Sequence, residues 1–307
     1  MKKAAFLFIC LSLLWTLSGC GVEYPEPAPE QNPTTIIEEE PDNSYNFLFL
    51  SDTAKSESNG YGTLKSMMEL AAQQLPEISF ILHGGDVVNP TDDGSEWMEY
   101  EDAMTAMADI PTYVSWGEKD DAYLTGHYQL PENGPSDLLH HFYSFSYENA
   151  HFIFLDGSYM GLHRDDYINW LKNDLTNSSR QWNIVICHFP LYPTVDIDND
   201  LARANAQRDI WDSVLKEMGI DLVLSGHQHL YARTQPVTNG AISEGSPIHV
   251  MVNSGSEYSA NASTNDYTAF SYTEGSNFCC FNIDDNQLTM TAYDQSMNEL
   301  DSLSLSK

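Results

Sequence analysis

Residues 221–229 read "DLVLSGHQH". An apolar run of the kind that forms a buried strand ends at a glycine, and two histidines follow at once. The same arrangement recurs along the chain. "FLFLS" (47–51) runs into Asp52, and "ISFIL" (78–82) runs into "HGGD", which ends at Asp86. "TYVSW" (112–116) runs into "GEKD", which contains Glu118, and "NIVIC" (183–187) runs into His188. In an α/β sheet, ligands gather just beyond the carboxyl ends of the strands. Five strand ends therefore each deliver an Asp, Glu or His to one region.

Between these runs lie segments of helical periodicity. In "TLKSMMELAAQQL" (63–75), Leu64, Met67, Met68 and Leu75 fall along one face, and "DYINWLKNDL" (166–175) and "NAQRDIWDSVLKEMG" (205–219) behave likewise. Strands alternating with helices predict βαβ units and an α/β domain. The last quarter differs. "IHVMVNSG", "NFCCFNID", "QLTMTAYD" and "ELDSLSLS" follow one another without helices, so the sheet is expected to finish with antiparallel strands.

Ahead of the domain, residues 1–20 place Lys2 and Lys3 before an apolar run that ends in "LSGC". This is the plan of a secretory signal. It resembles a bacterial lipoprotein signal, with Cys20 as the lipidated residue, and implies an exported protein held at the cell membrane on its extracytoplasmic side. Residues 21–45 are rich in proline and acid and hold no Lys or Arg, which predicts an extended, self-repelling stalk. The remaining 46–307 suffice for one large domain. Thirteen Lys and Arg against 45 Asp and Glu give a net charge of −32. That balance excludes nucleic acid and anionic lipid headgroups as surface-bound partners. Cys187, Cys279 and Cys280 remain beyond the signal, an odd set with two adjacent members, so no disulfide framework is expected.

Each strand-end residue has a bland reading of its own. Asp52 can cap a turn, "GGD" is a common loop, and His188 can be a satisfied buried histidine. The ordered set is harder to explain that way. Carboxylates and imidazoles meeting at one sheet edge are what two metal ions need. In an extended "GHQH", His227 and His229 face the same side, so that one can serve each metal.

The motifs Asp52, "GGDVVN", "GEKD", "CHFPLY" and "GHQHLYAR", together with "YENAHFIFLDG" and "DYINWLKNDL", resemble the calcineurin-like metallophosphoesterases, and within them the purple-acid-phosphatase-like branch. The resemblance covers almost the whole domain. It implies a four-layer αββα sandwich: two mixed β-sheets flanked by helices. It also implies two divalent or trivalent metal ions, with Fe, Zn or Mn suited to the donors, or one ion where a site is incomplete. Asp86 would bridge them, one metal taking Asp52 and His229, the other His188, His227 and Glu118. The implied reaction is hydrolysis of a phosphoester by a metal-activated hydroxide.

Four positions depart from the family pattern. Ala54 stands where many members place a further histidine ligand, and Asn89 stands where purple acid phosphatases place a tyrosine. Asn89 either coordinates weakly through its amide oxygen or caps a loop, and without a tyrosinate no purple iron chromophore is expected. Glu118 replaces an asparagine ligand. Lys119 replaces the histidine thought to contact the phosphate or leaving group, where an ammonium acts as a point charge. Glu and Lys together carry the same net charge as Asn and neutral His, so the exchange is compensated. Arg233 is either a further counterweight to phosphate or a structural partner of nearby carboxylates.

Two functions stay open. The first is an extracytoplasmic phosphoesterase acting on a small mono- or diester at a modified dinuclear site. The second is a catalytically impaired lipoprotein of the same fold that binds or scaffolds.

Overall fold

The computed structural model describes residues 44–54, 60–90, 94–120, 123–157, 164–195, 199–259, 261–263 and 265–307. The expected signal, Cys20 and nearly all of the expected stalk lie outside the described residues. The chain divides after Glu40, and every described residue belongs to the second unit. Among the described residues, no helix is long and apolar enough to cross a membrane.

The first part of that unit alternates strand and helix: β1 (Tyr45–Leu50), α1 (Gly62–Gln74), β2 (Ile78–His83), α2 (Ser95–Ala103) and β3 (Thr112–Val114). A short α3 (Leu124–His127) leads to the hairpin of β4 (Tyr143–Tyr147) and β5 (Ala150–Phe154). Then come α4 (Arg164–Ser178), β6 (Trp182–Ile186), α5 (Asp200–Glu217) and β7 (Leu222–Ser225). The rest is strands: β8 (Tyr231–Thr234), β9 (Val237–Thr238), β10 (Ala241–Ile242), β11 (Ile248–Met251) and β12 (Thr268–Tyr272), followed by β13 (Asn277–Asp284), β14 (Gln287–Asp294) and β15 (Glu299–Ser306).

One sheet runs β15–β14–β13–β1–β2–β3, the other β12–β8–β11–β7–β6–β5–β4, and β9 with β10 forms a small ribbon. Both sheets are mixed. β1, β2 and β3 are parallel, as are β5, β6, β7 and β11, while antiparallel pairs complete each sheet. The two faces meet through aromatic rings. Phe47 stacks between Phe80 and Phe281, with centroids 5.1 and 4.8 Å away, and takes Phe152 of the other sheet edge-on at 5.3 Å. Each such ring, fully buried, contributes on the order of 1.5–3 kcal/mol.

The outer faces carry the helices. Leu64, Met67, Met68 and Ala71 recur at the spacing of one helix face and are the buried residues of α1. They belong to the core that includes the first sheet. Leu171 and Leu175 of α4 and Trp211 and Leu215 of α5 cluster with Val185 and Val223 of the second sheet. Helix, sheet, sheet, helix is the four-layer sandwich that the resemblance implied.

One expectation needs correcting. "IHVM" belongs to a parallel pair as well as an antiparallel one: β11 lies parallel to β7 and antiparallel to β8. The chain turns back through the β9–β10 ribbon and inserts β11 between its predecessors. Only β13, β14 and β15 form the antiparallel run, and they extend the other sheet beside β1.

Candidate metal centre

The parallel strands of both sheets end at the same place, and tight loops turn the side chains there inward. Asp52, Asp86, His227 and His229 all adopt positive φ, at 56, 55, 69 and 51°. Residues other than glycine pay for that conformation, and it persists where the surroundings enforce it. The enforcement is visible. Both oxygens of Asp52 accept the His227 backbone N–H at 2.9 Å. Gly226 must lack a side chain, because a Cβ there would lie 1.9 Å from Ser51 Oγ and 2.2 Å from Asp52 Oδ2. "GHQH" is therefore not extended, as expected from its sequence, but doubly kinked. The buried Gln228 between the histidines pins the kink: its Oε1 accepts from the Thr194 and Val195 N–H at 2.6 and 2.9 Å.

Asp120 organises the neighbouring loops. Its carboxylate accepts the backbone N–H of Asp86 at 2.8 Å, Val87 at 3.0 Å and Gly117 at 2.8 Å. Burial and the adjacent Asp86 push this group up to about 7, against the Gly117 and Val87 N–H donors and the nearby His188, which favour its charged form. Asp86 Oδ1 in turn accepts the Lys119 N–H at 2.9 Å.

The predicted ligands converge. Ligand atoms of Asp52, Asp86 and His188 lie within 4.8 Å of one another, and so do those of Glu118, His188 and His227. His188 Nε2 is 3.6 Å from Asp86 Oδ1, and His229 Nε2 is 3.6 Å from Asp52 Oδ1. Lys119 Nζ stands 3.9 Å from Asp86 Oδ2 at the rim. Asn89 takes a different place: its amide nitrogen and its backbone N–H donate to Glu96 Oε1 of α2 at 2.8 and 3.1 Å, which matches the loop-capping reading. Arg233 is paired with Asp301 through two contacts of 2.6 and 2.9 Å, so it is a structural partner.

The donor atoms fit a metal. Asp86 Oδ2, His188 Nε2 and His227 Nδ1 are buried without a hydrogen-bond partner among the described residues. Glu118 Oε2 lies 2.7 Å from His188 Nε2 and Oε1 lies 2.9 Å from His227 Nδ1, so this carboxylate pairs with the rings when they are protonated. The far side of each ring fixes its tautomer. His188 Nδ1–H donates to Gly84 O at 2.8 Å, and His227 Nε2–H to Asp200 Oδ1 at 2.8 Å. Both inward nitrogens are then left with lone pairs, the usual outer support of a metal-binding histidine. Oxygen and imidazole donors without thiolate suit Zn, Mn or Fe.

The charges agree. Burial opposes a charged His188, yet the carboxylates of Asp86, Glu118 and Asp52 outweigh it and hold its proton well above the usual histidine range. Burial likewise opposes the ionised Glu118, but His188 and His227 hold its carboxyl far below the usual range. A site this negative takes up protons when no other cation is bound.

Residues 45–231 match the family of calcineurin-like phosphoesterases. The chain belongs to that family. Among relatives of calcineurin-like phosphoesterase type, purple acid phosphatase 18 of Arabidopsis thaliana is 34% identical over 135 residues, covering 40% of this chain and 28% of that protein. Acid phosphatase type 7 of Homo sapiens is 25% identical over 208 residues, 57% of this chain and 47% of that one. The chain thus spans less than half the length of these relatives. Among solved structures, purple acid phosphatase PPD1 from yellow lupin seeds superposes with a TM-score of 0.71 at 17% identity, over 86% of this chain and 54% of that one. GAP50, the anchor in the inner membrane complex of Plasmodium, gives 0.64 at 16%, over 86% and 89%. Both likenesses are of the calcineurin-like phosphoesterase fold alone.

Sequence reasoning missed Asp120, Asp200 and Gln228, which hold the expected ligand residues and their loops in place. Asp120 lies inside the quoted "GEKD" and was legible as part of the motif, though not in its role. Asp200, at the start of α5, carries no signal that separates it from other helix-capping acids. A cleft of about 660 Å³ lined by Trp97, Tyr100, Tyr113 and Tyr128, among others, flanks β3, and none of the predicted site residues lines it.

Proposed function

We propose that this chain is a metal-dependent phosphoesterase that hydrolyses a small phosphate mono- or diester. Asp52, Asp86 and His229 would hold one metal ion, and Asp86, Glu118, His188 and His227 would hold a second. The observation that carries it is the convergence of ligand atoms: those of Asp52, Asp86 and His188 lie within 4.8 Å of one another, and so do those of Glu118, His188 and His227. Bound metals would supply Lewis acidity, withdrawing charge from phosphoryl oxygens and acidifying water. The protein's part is to hold its donors fixed and to position charge. The carboxylates of Asp52, Asp86 and Glu118 fall one charge short of neutralising two divalent ions. Lys119, 29% exposed at the rim, adds a positive charge that can hold a phosphoryl oxygen. A centre that is positive within a molecule of net charge −32 favours a small ester over a polyphosphate, whose outlying charges the surface repels.

The test is turnover of an aryl phosphate and a bis-aryl phosphodiester after chelation and reloading with Mn²⁺, Zn²⁺ or Fe. Metal-dependent hydrolysis that His188→Ala abolishes is expected. No turnover above the chelated blank on either ester refutes the enzyme reading, and metal uptake without turnover would leave a binding role, such as the anchoring named for GAP50. We further propose export and lipid anchoring at Cys20, with the acidic, proline-rich residues ahead of β1 as the stalk. Cys20→Ser should release the protein from the membrane fraction.

A further inference from the structure

We propose that Arg203 anchors the substrate of this centre, its outward guanidinium edge binding an anionic oxygen of a phosphomonoester. This rests on the phosphoesterase reading above and adds a residue and a substrate preference to it. Arg203 lies on the first turns of α5, and its Nη1 is 3.2 Å from Nε2 of His227, the ring whose Nδ1 points into the centre. One imidazole's width separates the guanidinium from a ligand atom. Its Cζ sits 3.9 Å over the centroid of the buried Phe189 ring, which itself packs 4.7 Å from the His227 ring. Stacking on an aromatic face fixes a planar cation while leaving its donor edge open.

The bland reading is that Arg203 only neutralises Asp200, three residues earlier. The distances argue against that being its whole role. Asp200 Oδ1 is engaged by His227 Nε2 at 2.8 Å and Oδ2 by Gln228 Nε2 at 2.7 Å, whereas Arg203 Nη1 approaches only to 3.3 Å. Nη1 is the sole Arg203 donor atom with a partner among the described residues. The side chain is 32% exposed, so part of it is open to solvent. Cations are scarce here, 13 against 45 acids, and four of those described are paired with carboxylates elsewhere: Lys65 with Asp102, Lys172 with Glu217, Arg233 with Asp301 and Lys307 with Asp221. Arg203 beside His227 and Lys119 beside Asp86 flank the ligand set. Two flanking cations match a dianionic monoester better than a monoanionic diester.

The experiment uses the full chain loaded with metal, with orthophosphate as the probe in titration calorimetry. Arg203→Met keeps the stem over Phe189 and removes the charge; Arg203→Lys restores charge without the fork. We expect Arg203→Met to retain its metal, to bind orthophosphate about tenfold or more weakly, and to raise KM for an aryl monoester more than for a diester with little change in kcat. Arg203→Lys should recover part of the loss. Unchanged orthophosphate affinity in metal-replete Arg203→Met overturns the inference alone. Phosphate binding lost only in step with metal also overturns it, because Arg203 would then act through His227. A parent protein that takes up metal but binds no orthophosphate overturns the proposed function as well.

Discussion

Asp200 is buried, touches no expected ligand atom, and should nonetheless control metal affinity. Its two oxygens have separate duties: Oδ1 accepts His227 Nε2–H at 2.8 Å, and Oδ2 accepts Gln228 Nε2 at 2.7 Å. Asp200→Asn preserves shape but offers only one acceptor oxygen. Its amide NH₂ must then face either His227 or Gln228, donor against donor. Losing one hydrogen bond to a charged group costs about 1.5–3 kcal/mol. Where the loss falls on His227, the ring no longer prefers the tautomer with a free Nδ1. At roughly 1.4 kcal/mol per decade, that is about a 10- to 100-fold loss of metal affinity. The range agrees with the roughly 10- to 100-fold cost of removing an outer partner from a metal-binding histidine. The assay is competition with a chromophoric chelator for Zn²⁺ or Mn²⁺, with chemical unfolding of the chelated protein measured alongside to separate metal loss from fold loss. A folded Asp200→Asn protein that holds metal within twofold of the parent refutes the reasoning, because the carboxylate would then have no say in how His227 is oriented.

Further outcomes are expected. Gly226→Ala brings a Cβ to 2.2 Å from Asp52 Oδ2, so Asp52 must move and metal stoichiometry should fall; full metal content by elemental analysis would contradict this. Arg233→Met leaves Asp301 without its charged partner and should lower unfolding stability by about 2 kcal/mol while leaving activity per folded molecule intact. Loss of activity at full folding would return Arg233 to the site. Coordination needs neutral rings, and the carboxylates hold the His188 proton well above the usual range against the opposing effect of burial. Metal uptake should therefore expel protons and weaken as pH falls, read by calorimetry in buffers of different ionisation enthalpy; buffer-independent heats would rule it out.

Much of this fold is legible in sequence because its strands are buried on both faces. Phe47, Leu48, Phe49 and Leu50 are each completely buried, and such runs stand out as continuous apolar blocks. Strand β8, "YART", carries no such signature, since its Arg233 is drawn inward by Asp301 of a strand far away in sequence. The order of β7, β11 and β8 is likewise hidden, because neither pairing direction nor insertion between neighbours is a local property. At the centre, residues whose own atoms are donors could be read from their types and positions. Their supports could not. Asp200 meets His227 from 27 residues away, and Asp120 reaches back 34 residues to the Asp86 N–H. Each is an ordinary acidic residue until the chain is folded. Positive φ at His227 and His229 was invisible for the same reason: Asp52 and Gln228 impose it against local preference.

The turn "GEKD" shows why this family member can depart from the usual pattern without losing its frame. Asp120 ties Gly117 to Asp86 and Val87, and Lys119 contributes its backbone N–H to Asp86. The shape of the turn thus depends on the carboxylates of Asp120 and Asp86 and on main-chain donors, which are indifferent to the side chains at 118 and 119. Glu118 reaches His188 and His227 from 44% exposure, and Lys119 lies at the rim. Neither side chain is part of the packed interior, so the two positions are free to vary in chemistry while the loop stays put. The longer arm of Glu118 spans to both histidines and brings a negative charge toward the metal side. Lys119 returns the positive charge on the open side, where an anion would arrive. The pair separates charge across the mouth of the site in a way that Asn and neutral His cannot. Any difference in turnover between the Glu–Lys and Asn–His forms of this protein is therefore attributable to the donor at 118 and the charge at 119, not to a change in the loop that carries them.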